Sequence, residues 1–173
     1  MHRGHDMDGR ASDDRRDDRL RLELEGFLPY RLNVLASTVS QALSGLYGRR
    51  YGFGIPEWRI IATLGQFGTM TAKDIGLHSH MHKTKVSRAV ATLTRRKLVT
   101  RRANRQDLRE SFLALSTEGR AIYDDLVPVA LEFERQLLDG IEAGPRDDLD
   151  ALIGRLISRA KTLLSQTGGA DPE

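Results

Sequence analysis

Residues 71–120 constrain the fold of this chain more than any other segment. They read as two helices joined by a tight turn, then two strands of alternating apolar and polar residues, then a new helix. Within them, residues 81–110 hold ten Lys or Arg and only two acids, a formal charge of +8 in a chain whose total is +3. Positive charge is thus concentrated on one supersecondary unit, which is typical of a surface that binds phosphate.

The composition excludes several classes of protein. The 173 residues contain no cysteine, so disulfides, thiolate metal ligands and thiol redox switches are excluded. No apolar run approaches the roughly 20 residues of a membrane helix, and the N-terminus lacks the layout of a secretory signal, so we expect a cytoplasmic protein. A glycine-rich phosphate loop, a nucleophile elbow and clustered carboxylates are also missing, so we expect neither enzymatic activity nor a cofactor.

Apolar periodicity and turn signals predict a mainly α fold with a small two- or three-stranded sheet. Pro29 marks the start of the first main helix, and the four glycines of residues 44–55 predict that it ends in a loop. Thr71 is a predicted N-cap, and Pro128 is expected to bend the fifth helix. The predicted segments are a disordered tail (1–19), an N-terminal helix and loop (20–54), a lobe of helices and strands (55–115), two C-terminal helices (116–167) and a tail (168–173).

The fourth predicted helix, residues 82–97, carries the first group of candidate DNA contacts. Val86, Val90 and Leu93 lie on one face and are expected to pack inward. The opposite face combines short hydroxyls with long cations, which suits a major groove, and Arg88 has the forked geometry that binds guanine. The candidates are His82, Lys83, Thr84, Lys85, Ser87, Arg88 and Thr92. The alternative is a solvated basic helix, but the adjacent turn and basic strands favour DNA contact.

The two predicted strands, residues 98–102 and 111–115, carry the second group around a polar tip. A cationic β-tip beside a groove-bound helix can reach the neighbouring minor groove, where arginine is attracted by the negative potential. The candidate contacts are Arg101, Arg102, Arg105 and Arg109. We expect Arg105 to enter the groove, and Asp107 to pair with Arg109 and stiffen the tip. The alternative is a mobile charged hairpin.

Two strings in this region resemble the MarR family of winged helix-turn-helix transcriptional regulators. DLRESFLALSTEG, residues 107–119, resembles the family's wing signature, which is Asp-x-Arg, alternating apolar positions, then Leu-[Ser/Thr]-x-x-Gly. KTKVSRAVATLTRRKLVTR, residues 83–101, resembles its recognition helix running into the first wing strand. The order of elements matches over about residues 22–165.

The resemblance implies a homodimer whose first, fifth and sixth helices interlock and hold two winged helix-turn-helix lobes on a pseudo-palindromic operator. Residues 20–54 and 116–167 would then form the dimerisation region, and residues 55–115 the DNA-binding lobe. A small ligand, commonly an aromatic acid, would bind between them and release a repressor. Independently, the apolar stripes of the first and sixth helices need a partner chain to cover them. The alternative function is an architectural, nucleoid-type protein with little sequence preference.

Residue type alone suggests the candidates for ligand binding. Aromatic walls with a cation and polar anchors suit an aromatic acid, and the candidates are Tyr30, Arg31, Asn33, Ser37 and Trp58. The alternatives are a core position for Trp58 and a solvated helix face for Arg31. Arg49 and Arg50, in the glycine-rich stretch, can admit a larger anion such as an acyl-coenzyme A thioester.

The turn HSHMH, residues 78–82, invites a metal-binding interpretation. His78 and His82 are four residues apart, but a turn separates them, the chain has no cysteine, and Asp74 is the only candidate for a carboxylate ligand. We therefore predict no metal site and expect the histidines to meet phosphate, so that DNA affinity rises from about pH 8 to about pH 6. MarR proteins more often carry glycine at positions 80 and 97, where this chain has His80 and Lys97, and Asp or Asn at position 82.

Overall fold

The computed structural model describes residues 21–103 and 110–167, so the predicted tails lie outside the described residues. Its elements are α1 (Leu28–Tyr51), α2 (Ile55–Phe67), β1 (Met70–Thr71), α3 (Ala72–Ser79), α4 (Lys83–Arg95), β2 (Val99–Ala103), β3 (Ser111–Leu115), α5 (Thr117–Leu137) and α6 (Ala143–Gln166). The predicted fold class, mainly α with a small sheet, is confirmed. The chain divides into two compact units between Val39 and Ser40, within α1.

The C-terminal part of α1 corrects the prediction of a glycine-rich loop over residues 44–55. The helix continues through Gly45 and Gly48 and ends only at Tyr51, after which Gly52 adopts a positive φ of 65°. Glycine in a helix costs about 1 kcal/mol relative to alanine. Tyr47, between the two glycines, is almost fully buried and stacks 5.6 Å from the Phe53 ring. Burial of this large aromatic side chain offsets the low propensity of its neighbours.

The core of the second unit lies between α2, α3, α4 and the sheet. Its fully buried aliphatic residues include Ile60, Ile61, Leu64, Ile75, Leu93 and Leu113. The sheet is antiparallel in the order β1-β3-β2, with Met70 and Arg101 flanking Leu113 on its two sides. The predicted hairpin corresponds to β2 and β3. The strand β1 has only two residues, so no alternation of apolar and polar residues in the sequence could predict it.

Side-chain caps fix where the helices around the sheet begin. Thr71 caps α3, as predicted: its hydroxyl oxygen accepts from the Asp74 N–H at 3.2 Å, and the Asp74 carboxylate accepts from the Thr71 N–H at 3.3 Å. Ser116 caps α5 by accepting from the Gly119 N–H at 3.0 Å. α5 then continues past Pro128 to Leu137. Side-chain caps such as these satisfy N–H groups that a helix leaves unpaired, and the cap at Thr71 is reciprocal.

α6 differs from the other long helices because none of its described side chains is buried. Its apolar stripe is open to solvent in the single chain, with Ile157 50% and Leu164 64% exposed. None of the described helices combines the length and apolar character that crossing a membrane requires.

Candidate nucleic-acid interface

The exposed face of α4 is the centre of the candidate interface. Val86, Ala89, Val90 and Leu93 are buried against α2 and α3, as three of them were predicted to be. The helix therefore turns its other face to solvent. On it the structure brings together His82, Lys83, Thr84, Lys85, Ser87 and Arg88, all exposed, while Thr92 is partly buried. Hydroxyls and long cations thus share one accessible surface, which is the chemistry that a major groove accepts.

His82 ends the turn before α4 and acts as its N-cap. Its Nδ1 accepts from the Thr84 N–H at 3.4 Å, and its carbonyl oxygen accepts from the N–H groups of Lys85 and Val86. This is the place where the family more often carries Asp or Asn, which are also N-cap residues.

The other two histidines of the turn have local roles of their own. The His78 ring packs 4.5 Å from the Phe67 ring. His80 ends α3 in the left-handed conformation, with φ 49°, and its N–H donates to the Gly76 carbonyl oxygen. Among the described residues no group of three His, Cys, Asp or Glu side chains is placed to hold a metal ion.

The wing, formed by strands β2 and β3, adds arginines beside α4. Arg101 and Arg102 on β2 are exposed, and the Arg102 guanidinium lies 6.0 Å from the centre of the Phe112 ring on β3. This position restrains the guanidinium over an aromatic face, where a cation–π contact contributes about 0.5–1 kcal/mol. The predicted tip residues Arg105, Asp107 and Arg109 lie outside the described residues.

A groove of about 1150 Å³ runs between α3, α4 and the wing. Its floor is apolar and includes Met81, Val90 and Leu113. Its lining also includes four cations and one acid, namely Lys73, Lys83, Arg95, Arg101 and Glu110. The excess of cations suits an anion of extended shape more than a neutral ligand.

Two of the helices that line this groove, α3 and α4, end in left-handed turns. At the exit of α4, Lys97 has φ 61°, the Leu98 N–H donates to the Leu93 carbonyl oxygen, and the Lys97 N–H donates to that of Thr94, both at 2.9 Å. This pair of bonds is the Schellman motif, which normally places glycine at the left-handed position. His80 occupies the corresponding position after α3. Among the described residues, the non-glycine residues with a positive φ are His80 and Lys97. These are the two positions at which MarR proteins more often carry glycine.

Gly119 closes the wing against α5. A Cβ there would overlap the Leu98 carbonyl oxygen and lie 3.0 Å from the carbonyl carbon, and the Ser116 N–H already donates to that oxygen at 3.0 Å. The start of α5 therefore touches the chain between α4 and β2. The spacing of Leu-[Ser/Thr]-x-x-Gly signals a helix start, but it does not reveal this backbone contact.

Arg96 is a functional candidate that sequence reasoning missed, because it counted only toward the basic charge. Its guanidinium donates to the carbonyl oxygens of Tyr51 at 2.5 Å and Gly52 at 3.3 Å, and lies 5.5 Å from the centre of the Phe53 ring. It thus joins the end of α4 to the end of α1. The hydrogen-bond partners are 44 and 45 residues away in the chain, and no local pattern predicts such a contact.

The predicted ligand residues are divided between the two units. Tyr30, Arg31, Asn33 and Ser37 are exposed on the part of α1 that precedes Ser40. Trp58 belongs to the second unit, where its ring packs 5.6 Å from Tyr47 against the core. Arg50 is bound by the Asp125 carboxylate through two contacts of 2.8 Å. Its charge is therefore compensated within the protein.

Comparisons with known proteins agree with this architecture. Residues 51–110 match a model of the MarR family. The structure of a MarR/EmrR family transcriptional regulator from Acinetobacter sp. ADP1 is similar, with a TM-score of 0.74 and 26% identity over 82% of this chain and 99% of that one. No protein of curated function matches the chain.

Two further solved structures share the fold at lower identity. The S. aureus MepR–DNA complex has a TM-score of 0.68 and 18% identity, covering 77% of this chain and 98% of that one. The structure of BpsR of Bordetella bronchiseptica, whose DNA binding is regulated by 6-hydroxynicotinic acid, has a TM-score of 0.63 and 17% identity. The match covers 73% of this chain and 98% of that one. In sequence over residues 51–110, and in fold along most of its length, the chain is thus similar to the MarR family of transcriptional regulators.

Proposed function

We propose that this protein is a homodimeric repressor that binds a pseudo-palindromic operator through α4 and the wing and is released by a small ligand. The observation that carries the proposal is the solvent-facing surface of α4, where hydroxyls and cations lie beside a basic groove. A recognition helix with these side chains can read base edges and hold phosphates at the same time.

The proposed contacts divide into specifying and positioning ones. Arg88 binds a guanine edge in the major groove, while Thr84 and Ser87 bond either base edges or phosphate. Lys83 and Lys85 contact phosphate. The DNA backbone follows the groove between α4 and the wing, so that the wing arginines reach the adjacent minor groove. The remaining proposed contacts are His82, Thr92, Arg101, Arg102, Arg105 and Arg109.

The proposed dimer explains the open apolar stripe of α6. Isolated soluble chains rarely expose a contiguous apolar patch of several side chains, and a second copy can cover it by a two-fold contact. The apolar residues of this stripe that are exposed in the single chain are Leu149, Leu152, Ile153, Ile157, Leu163 and Leu164. α1 contributes exposed apolar residues as well, including Leu28, Leu32 and Leu35.

The proposed ligand is an aromatic acid or its coenzyme A thioester. The fold shared with BpsR, a protein regulated by 6-hydroxynicotinic acid, supports this class. Tyr30, Arg31, Asn33 and Ser37, with Trp58, stay our candidates for binding it. The ligand would act by population shift, favouring a dimer whose recognition helices no longer match half-sites one helical turn apart. A differential affinity of a few kcal/mol between the two forms is enough to empty an operator.

Retention of sheared DNA from the protein's own source tests the proposal. Purified protein is mixed with the fragments at moderate salt, and the retained DNA is sequenced. We expect a few palindromic promoter sites, whose neighbouring genes would nominate ligands for a release assay. Uniform retention of all fragments, with a steep salt dependence and a low ratio of specific to non-specific affinity, would instead support the architectural alternative.

A further inference from the structure

We infer that Arg96 is a positioning residue, which holds α4 at a fixed orientation to α1 and α5 and thereby sets the spacing of DNA half-sites that the protein accepts. The inference rests on the proposed dimeric, operator-binding function. It concerns a residue that contacts other parts of the protein and not the DNA.

The backbone of Arg96 is fixed on both sides. Its N–H donates to the Thr92 carbonyl oxygen at 3.1 Å, which continues the hydrogen bonding of α4. The next residue, Lys97, begins the left-handed turn that leads into Leu98, which is buried. The side chain of Arg96 therefore leaves the end of α4 from a defined point.

The guanidinium meets the C-terminal end of α1. A helix leaves its last carbonyl groups unpaired, and they carry partial negative charge. Arg96 donates to two carbonyl oxygens at this end, those of Tyr51 and Gly52, while the Phe53 ring beneath it is buried in the core. Charge-assisted bonds from a planar, forked group restrain direction as well as distance. The ends of α4 and α1 are thereby joined.

The same last turn of α1 is also bound to α5. The Asp125 carboxylate accepts from the Tyr51 hydroxyl and from two guanidinium nitrogens of Arg50. Three helices thus meet at residues 50–52: α1 itself, α5 through Asp125, and α4 through Arg96. A rotation of α4 relative to α1 and α5 must break the Arg96 contacts.

Arg96 differs in this respect from the cations around it. Between residues 83 and 97, it is the one basic side chain that hydrogen-bonds to another part of the described chain. Its neighbour Arg95 is exposed and lines the groove beside α4. The two arginines contribute the same charge to the DNA-binding lobe, so they form a matched pair for separating orientation from electrostatics.

The test compares Arg96→Ala with the matched control Arg95→Ala on one operator. Dissociation constants are measured with the half-sites at their native spacing and with a base pair or two removed or added. We expect Arg96→Ala to weaken binding at the native spacing about tenfold, as loss of a charged hydrogen bond does. We also expect this variant to show a weaker dependence of the dissociation constant on half-site spacing than the wild type. Arg95→Ala should weaken binding by the same factor at every spacing. Relative to Arg96→Ala, the variant Arg96→Lys should recover most of the affinity but less of the preference for the native spacing.

A second readout needs no DNA. The chain has no cysteine, so Lys85→Cys allows one spin label on each recognition helix of the dimer. The distribution of label-to-label distances should be broader with Arg96→Ala than with Arg95→Ala. Equal widths, or an Arg96→Ala spacing profile identical to that of the wild type, would overturn the inference.

The controls separate this inference from the proposed function. If the wild-type protein shows no spacing preference, the operator-binding proposal fails, whatever Arg96 does. If the wild type is selective and Arg96→Ala is equally selective, only the positioning role fails. Should Arg96→Ala lose its cooperative thermal unfolding, Arg96→Gln retains a hydrogen-bond donor and takes its place in both measurements.

Discussion

Gly119 has a packing role that its place in a family signature does not disclose. The start of α5 contacts the chain between α4 and β2 so closely that a Cβ would overlap the Leu98 carbonyl oxygen. That oxygen also accepts the Ser116 N–H. The signature Ser and the signature Gly therefore act together, one as N-cap and the other as the place where two backbones approach. The wing is held to α5 at this point.

We predict that Gly119→Ala lowers the free energy of unfolding by about 1–3 kcal/mol, because a buried methyl group must displace backbone. Denaturant unfolding measures the loss. Gly45→Ala is the control: apart from its two chain neighbours and the backbone of its own helix, no atom lies within 4 Å of the Cβ that alanine would add there. A small gain is expected at this position from better helix propensity. Equal stability of the two variants would contradict the close approach.

The left-handed backbone at Lys97 can be tested by substitution. With φ 61° it adopts at some cost a left-handed conformation that glycine adopts freely. Lys97→Gly should be more stable than Lys97→Ala by about 1 kcal/mol, since both variants lose the charge and only one removes the strain. Thermal or denaturant unfolding of the two measures the difference. No difference would mean that the turn relaxes to another conformation.

Among the elements, α4 could be predicted well because its signal is local. Val86, Val90 and Leu93 repeat at helical spacing, and the structure buries all three. The N-cap at Thr71 is likewise predictable from adjacent residues. The continuation of α1 to Tyr51, the strand β1 and the Arg96 contacts could not be predicted, because each depends on residues far away in sequence. Burial of Tyr47 and pairing of Met70 with Leu113 decide the first two.

Substitutions on α4 should distinguish the proposed contacts to base edges from the proposed contacts to phosphate. Arg88→Ala should reduce discrimination at one base pair of each half-site by about 1–3 kcal/mol. Lys83→Ala should weaken all sequences alike and reduce the salt slope by about one unit. Binding to a panel of operator variants at several salt concentrations measures both. If the two variants behaved alike, α4 would not be reading bases in this orientation.

For the whole molecule, the open stripe of α6 predicts dependence on a second chain. Ile153→Glu should produce monomers and abolish high-affinity operator binding, because a charge would be buried in the apolar contact. Arg155→Glu, on the opposite face of α6, is the control and should remain dimeric. Sedimentation of both variants gives the oligomeric state. A dimeric Ile153→Glu would place the contact elsewhere.

The sequence predicts the proposed DNA-binding lobe more fully than the proposed ligand site. Charge and periodicity are properties of neighbouring residues, so the basic face of α4 can be predicted from the sequence. The ligand candidates rest on residue type alone, and Trp58 is packed against Tyr47 in the core, which favours the alternative interpretation for it. Residue type does not encode which side chains converge on a ligand.

The absence of buried side chains along the described α6 has a consequence for the cell. If a second copy supplies its packing, the folded fraction depends on how many copies are present, since an obligate dimer gains stability by mass action. Chains made at low copy number would remain partly unpacked and open to proteases. We expect the melting temperature to rise with protein concentration. A given change in the rate of synthesis would then produce a more than proportional change in the amount of folded protein.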